Sequence, residues 1–449
     1  MIKKYFRPLM AIAVPIMLSN VISQPQMIID RIFLGQMNPL YMSALGNVNS
    51  PMWTTMSFCI SLTTGASILI SQNVGSGKKN DVEKYAASLI KWNNIIPVLL
   101  FFFWIFCGEY VFHAMGASEN LMPMCLGYSR FYAPIFLIVG FQSSFTVIMQ
   151  TSNYTKPLIY YGIVRAGLNV ILDWILIFGR FGLPKLGIEG AAIATTISEY
   201  AGLFFSLAIV MKKRSLKTMP PISAVFSARL KPFLKSIKLG VNTALEDTAW
   251  NLGNLVLIRI LNSINEMAAG IYSIVFSIEL VVVVIIGAIG NGTLTLSGEA
   301  NGKGDVKQLK GVCITAYLLS ASVAFITLIV CIMIPDKILS LFANDQSIIT
   351  GCGIYLILVC INFYGKAGNI VIGNGIRGSG NTKWMLATQI LGTVMVISFA
   401  CLFVFVFDWG MTGVFLAVIV DELIRAVINL LKLRRITNAW ELSLSQKNK

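Results

Sequence analysis

Long apolar runs, separated by short polar or glycine- and proline-bearing connections, recur from one end of the chain to the other. A helix needs about 20 mainly apolar residues to cross the hydrocarbon of a bilayer. Twelve segments reach that length: 8–35, 44–72, 86–113, 121–150, 156–180, 187–212, 234–262, 268–299, 309–335, 350–378, 382–407 and 410–435. The pattern predicts an all-α polytopic membrane protein. The first segment is too long and too polar for a cleaved signal peptide, and no small-residue cleavage site follows it.

Composition agrees with that pattern. Of 449 residues, 56% are hydrophobic and 12% are charged, against roughly 25% charged in soluble domains. The formal charge of +15 raises the question of nucleic acid, and its distribution answers it. Basic residues gather at Lys3, Lys4 and Arg7, at Lys78, Lys79 and Lys84, at Lys156, and at Lys212, Lys213, Arg214, Lys217, Arg229 and Lys231. They return at Lys303, Lys307 and Lys310, at Arg377 and Lys383, and at Lys432, Arg434 and Arg435. All lie in termini or even-numbered connections, while Arg180, Lys185 and Lys337 are the main exceptions. This positive-inside bias places both termini in the cytoplasm of a multi-pass plasma-membrane protein. Anionic lipid is the partner expected for these charges, and nucleic acid is not needed.

Internal repetition sets the architecture. "QTSNYTKP" (150–157) aligns with "RGSGNTKW" (377–384), "GIEGAAIATTISE" (187–199) with "GMTGVFLAVIVDE" (410–422), and "SQNVGSGKKNDV" (71–82) with "SGEANGKGDV" (297–306). The order and near-constant spacing describe a duplicated six-helix unit. The expected divisions are an N-terminal lobe over 1–212, a basic cytoplasmic linker over 213–233, and a C-terminal lobe with a short tail over 234–449. An even number of helices per copy relates the lobes by a pseudo-two-fold axis along the membrane normal. Such pairs of bundles rock to expose a cavity to each side in turn.

The chemistry lies in the polar positions. In the first segment Asn20, Ser23, Gln24, Met27, Asp30 and Arg31 recur at three- and four-residue steps, and in the fifth Arg165, Asn169 and Asp173 are spaced by four. Intramembrane charges face the bundle interior or water. Asp30 precedes Gly35 by five residues and Asp173 precedes Gly179 by six. At the rise of a helix, both carboxyls sit about 7–9 Å below the outer ends. Thr195 and Thr196 of the sixth segment fall at a similar or slightly greater depth, so one of the two joins them. Two carboxylates in a poorly solvated pocket repel, and a proton or a sodium ion held at Asp30, Asn169 and Asp173 relieves that repulsion. The competing reading is a fixed ion pair between Asp30 and Arg165. Pro15 and Pro25 lack the N–H groups that would bond the carbonyls of Ala11 and Val21, which marks them as hinges. Gln24, Met27, Glu246 and Glu279 are candidates for a substrate cavity. Asp421, Glu422 and Arg425 can pair on one helix face, whereas Glu199, the repeat counterpart of Glu422, has Gly202 where the arginine would be.

The eight cysteines form no CxxC pair or other metal-ligand spacing, and the lone His113 ends the third helix. HExxH and GxSxG patterns are absent and no paired catalytic aspartates stand in a GxGD context, so an enzyme is not expected, nor is any cofactor or resident metal.

"VPIMLSNVISQPQMIIDRIFLGQM", followed by "MSALG", "SQNVGSGK", "GLPKLGIEGAAIATTIS" and "GIRGSGNTK", resembles the prokaryotic multidrug and toxic compound extrusion (MATE) transporters over nearly the whole chain. The resemblance implies a secondary antiporter that expels amphipathic, often cationic, organic compounds in exchange for protons or sodium ions. It also implies an N-lobe coupling cluster of an aspartate in helix 1, an Asn and an Asp four apart in helix 5, and a threonine in helix 6. Asp30, Asn169, Asp173 and Thr195 match those positions. Pro15 matches the proline at which such transporters bend helix 1. Val241 stands where many relatives have proline, and the deeper C-lobe glutamate of sodium-coupled members is not matched, so no C-lobe ion site is assigned. The alternative activity is a flippase for a lipid-linked or lipid-like amphiphile. A monomer is expected.

Overall fold

The computed structural model describes residues 2–212, 216–264, 268–339 and 346–447, and among them every regular element is helical. Twelve long helices follow one another. They are α1 (Ile2–Met37), α2 (Leu40–Gly75), α3 (Lys79–Ala114), α4 (Met122–Thr151), α5 (Lys156–Phe178) and α6 (Gly187–Lys212). Then come α7 (Leu230–Ile264), α8 (Ala268–Lys303), α9 (Val306–Met333), α10 (Cys352–Gly378), α11 (Thr382–Val406) and α12 (Gly410–Lys447). Short helices cover Ile222–Ser227 and Pro335–Leu339. The linker residues Lys213 and Arg214 lie outside the described residues.

Ten of these helices are long and apolar enough to span a bilayer by composition; over the described residues α7 and α12 fall short. Both carry charge through their centres, Glu246 and Asp247 in α7 and Asp421, Glu422 and Arg425 in α12. Both nonetheless run unbroken for 35 and 38 residues, well beyond the length a span needs. Several of these central charges are paired. Glu246 is ion-paired with Arg377 of α10, and Arg425 lies 2.7 Å from Asp421.

Two compact units divide the chain. One contains Val14–Ile70 and Lys79–Ala244, the other Met1–Ala13, Ser71–Lys78 and Leu245–Lys449. Each unit therefore holds most of one sequence repeat, but α1, α2 and α7 contribute to both. In α1 the change falls next to Pro15, which is buried, whereas Pro25 is exposed.

Small residues allow α2 to cross its neighbours at backbone contact. In the first unit, a Cβ on Gly65 would collide with the Ser236 carbonyl oxygen of α7, and one on Gly240 with the Leu62 carbonyl oxygen of α2. In the second, Gly75 meets the Glu299 carbonyl of α8 and Gly302 meets that of Gln72. Ser236 and Gly240, like Gly298 and Gly302, are spaced as small-xxx-small pairs, the pattern that brings membrane helices close without large side chains. Gly65→Val or Gly240→Val is expected to destabilise the protein by about 1–3 kcal/mol, the usual effect of overpacking. Gly46 provides the contrast, since a Cβ there would meet nothing within 4 Å. Gly46→Ala is expected to be tolerated, with the stability of the purified protein to thermal unfolding unchanged or raised by at most about 1 kcal/mol of helix propensity.

Candidate ion-binding site

The site begins with the inward edge of α1. Ser19 and Gln26 are buried, Ser23 and Asp30 half-buried, and their steps of four, three and four make one helical face. Asn20, Met27 and Arg31 belong to the adjacent stripe and are exposed, with Gln24 half-buried beside them. The polar stripe expected from the sequence thus divides in two. Neighbouring positions on a helix differ by about 100°, so a broad polar run contains both an inward and an outward row.

Asp30 meets α5 and α6 of the same unit. Asn169 and Asp173 are fully buried at 0% exposure, one turn apart on α5. One end of the Asn169 amide lies 3.1 Å from Asp30 Oδ1 and 2.6 Å from the Gln26 amide. Its other end faces Thr195, 3.2 Å from the backbone nitrogen and 3.3 Å from Oγ1. The Asp30 and Asp173 carboxyls are close enough to interact, and two carboxyls can bond to each other only by sharing a proton. Tyr128 of α4 is also buried, within electrostatic reach of both.

This group has oxygen ligands without enough hydrogen. Asp173 Oδ1 and Gln26 Oε1 are buried and lack hydrogen-bond partners. Buried acceptors are nearly always satisfied, so these two oxygens identify where a proton, a water or a hard cation fits. Carboxylate, amide and hydroxyl oxygens are the donors a sodium ion takes. The Asn169 amide can also serve either state of its neighbour. With its NH2 towards Asp30 it donates to a carboxylate; turned over, its carbonyl accepts from a protonated carboxyl.

The threonines separate by direction. Thr195 Oγ1 donates to the Ala191 carbonyl at 2.9 Å and stays beside Asn169, while Thr196 Oγ1 donates to the Phe131 carbonyl of α4 at 2.7 Å. Thr195→Ala is expected to weaken ion-dependent protection of the purified protein against thermal unfolding. Thr196→Ala should leave that dependence intact and remove one hydrogen bond, about 0.5–1.5 kcal/mol.

Arg165 is not the partner of Asp30. One turn below Asn169, its Nη1 lies 2.7 Å from Glu199 Oε1 of α6, and its Nη2 donates to Ser23 of α1. Tyr161 also donates to Glu199 and receives a hydrogen bond from Gln142. Glu199 therefore obtains from α5 the cation its own helix lacks. Sequence reasoning misses Gln26, Tyr128 and the Arg165–Glu199 link. The 19/23/26/30 spacing is a usable signal for Gln26, but the parallel 20/24/27/31 row matches a helical stripe equally well.

Glu246 and Glu279 are in the other unit. Glu246 is held by Arg377, and Glu279 accepts from Lys366 of α10. Glu279 and Lys366 line a cavity with Trp250, Tyr272, Phe276 and Arg425. Arg425 also lies 3.1 Å from Glu422 and donates to Gln389 Oε1 at 2.8 Å. A π-helical turn at Gly368–Ile372 aims Asn369 at Glu422, donating to its carbonyl at 2.9 Å. Such turns often mark functional positions.

Known proteins resemble the chain along its length. The MatE family profile matches residues 15–175 and again 243–402, once in each repeat. An uncharacterized transporter of Bacillus subtilis, YisQ, is 24% identical over 400 residues, covering 89% of this chain and 88% of that protein. A probable multidrug resistance protein NorM of Thermotoga maritima is 25% identical over 448 residues, covering 97% and 93%. Crystal structures of a MATE protein in straight and in bent conformations each superpose with a TM-score of 0.87 at 18% identity, over 97% of this chain and 96% of theirs.

Proposed function

This chain belongs to the MATE family of multidrug efflux transporters, and on that premise we propose that it is an antiporter coupled at Asp30 and Asp173. Its coupling ion is a proton or a sodium ion, and its substrates are amphipathic organic cations. The observation that carries the reading is the convergence of half-buried Asp30 with fully buried Asn169 and Asp173, with the Asp173 Oδ1 and Gln26 Oε1 oxygens left unpaired beside them. A carboxyl pair without a fixed cation is a poor structural element in a membrane and a good reversible site.

Coupling needs the ion and the substrate to prefer different states of the transporter. The Asn169 amide and Thr195 complete the ion site, and α1 passes the occupancy on through Pro15 or Pro25. Gln24 and Met27, on the row beside Asp30, and Glu279, on its aromatic-lined cavity, are the groups offered to substrate. Glu246 and Glu279 are each held in an ion pair, with Arg377 and Lys366, so either meets substrate as part of its pair. The protein sits in the plasma membrane with both termini in the cytoplasm, following the distribution of its basic residues.

The test is efflux of a fluorescent organic cation from reconstituted vesicles, with a proton gradient and a sodium gradient imposed separately on wild type and on Asp30→Asn. Wild type responds to one gradient and thereby identifies the ion; Asp30→Asn responds to neither. Gradient-driven transport by Asp30→Asn would refute the site, and wild-type indifference to both gradients would favour lipid-like substrates.

A further inference from the structure

From Lys212 to Lys238 the sequence holds eight Lys or Arg residues and no Asp or Glu. Its middle is folded and attached. Helix Ile222–Ser227 ends against α3, where Lys91 Nζ donates to the Phe226 and Ala228 carbonyls and Trp92 Nε1 donates to the Ala228 carbonyl at 3.2 Å. Upstream, the Thr218 hydroxyl donates to the Ile148 carbonyl at 2.9 Å and lies 3.1 Å from Thr151 Oγ1, at the end of α4.

These anchors fix the height of the segment. The continuous apolar stretch of α3 begins at Ile95, so Lys91 and Trp92 precede it by three or four residues, about 5–6 Å along a helix. The headgroup layer is about 5–7 Å thick on each side of the hydrocarbon. At that level the segment presents apolar side chains outward: Ile222 is 69% exposed and Phe226 is 76% exposed, and Leu234 in the first turns of α7 is 54% exposed. Lys217, Arg229, Lys231 and Lys235 are exposed around them. Apolar residues ringed by bases, with no acid within the segment, suit an anionic lipid surface. An acidic soluble partner would match the bases but leave Ile222 and Phe226 facing headgroups.

We propose that residues 217–235 form an interfacial anchor. Ile222 and Phe226 enter the boundary between headgroups and acyl chains of an anionic leaflet, and Lys217, Arg229, Lys231 and Lys235 engage lipid phosphates. The anchor rests on the proposed transporter orientation only for the leaflet involved, since the lipid contact itself is independent of which side the linker occupies.

The experiment introduces Ile222→Cys, Ser223→Cys, Phe226→Cys and Ser227→Cys singly, in a chain whose two partly exposed thiols, Cys107 and Cys401, are replaced by Ser. Each is labelled with an environment-sensitive fluorophore, and the full-length protein is reconstituted into nanodiscs of phosphatidylglycerol or phosphatidylcholine. Labels at 222 and 226 are expected to shift to the blue and to be quenched by bromolipid several-fold more than labels at 223 and 227. The contrast is larger in phosphatidylglycerol, and Arg229→Gln with Lys231→Gln removes that lipid preference. Water-like emission and equal quenching at all four positions in both lipids would overturn the anchor. Labelling of Lys217→Cys by an impermeant reagent on intact cells reports the orientation separately, so a wrong leaflet is distinguished from a missing contact.

Discussion

Vesicles carrying Asp173→Asn are expected to show no ion-driven accumulation of substrate. A roughly 40-fold concentration gradient of the coupling ion, worth about 2.3 kcal/mol since each 1.4 kcal/mol is tenfold, sustains a roughly 40-fold substrate ratio in one-for-one exchange of like charges. The variant reduces that ratio to one. The physical reason is specific to the position. Asp173 is fully buried, with one oxygen unpaired and Asp30 as its neighbour. The amide donates a fixed hydrogen bond to Asp30 and holds no exchangeable charge, so the ion gains no preference between states and shifts no population. Downhill leakage of substrate through the variant should survive, which distinguishes loss of coupling from loss of fold. Accumulation ratios in reconstituted vesicles, measured alongside exchange without a gradient, check both parts.

The second large effect belongs to the other unit. Lys366→Met is expected to destabilise the protein by about 3–5 kcal/mol, the cost of leaving a buried ion pair half complete. Lys366 is 8% exposed and bonded to Glu279, which is itself 5% exposed. Arg425 is already committed to Asp421, Glu422 and Gln389, so the other base on this cavity is not free to take over Glu279. Adding Glu279→Gln to Lys366→Met removes the stranded charge and should restore most of the loss. Unfolding of the single and double variants in detergent provides the cycle, and equal destabilisation by Lys366→Met in both backgrounds would show that the pair is not coupled.

Much of this is legible in the sequence because the bilayer imposes a severe rule on every span. A carboxylate inside an apolar run needs a reason, and Asp30, Asn169 and Asp173 stand out on that ground alone. Their depth follows from helical rise, and the structure brings them together with Thr195. Partners across helices are less legible. Nothing in the spacing of Arg165 shows that it reaches Glu199 and Ser23 rather than Asp30. Gln26 is hidden for a different reason: two polar rows run side by side on α1, and periodicity gives a face without giving its direction. The π-helical turn at Gly368–Ile372, which rotates Asn369 towards Glu422, has no signature in a 3.6-residue pattern.

The sharing of α1, α2 and α7 between the two units bears on how the chain can be divided. The repeat invites a cut at the basic linker, yet the later fragment would lack Met1–Ala13 and Ser71–Lys78, which its compact unit contains. The earlier fragment would in turn lose the first half of α7, up to Ala244. Split halves expressed alone should therefore fail to mature, while co-expressed halves complement one another. On that expectation the two repeats serve only as one product, because each compact unit includes a stretch of the other repeat's sequence.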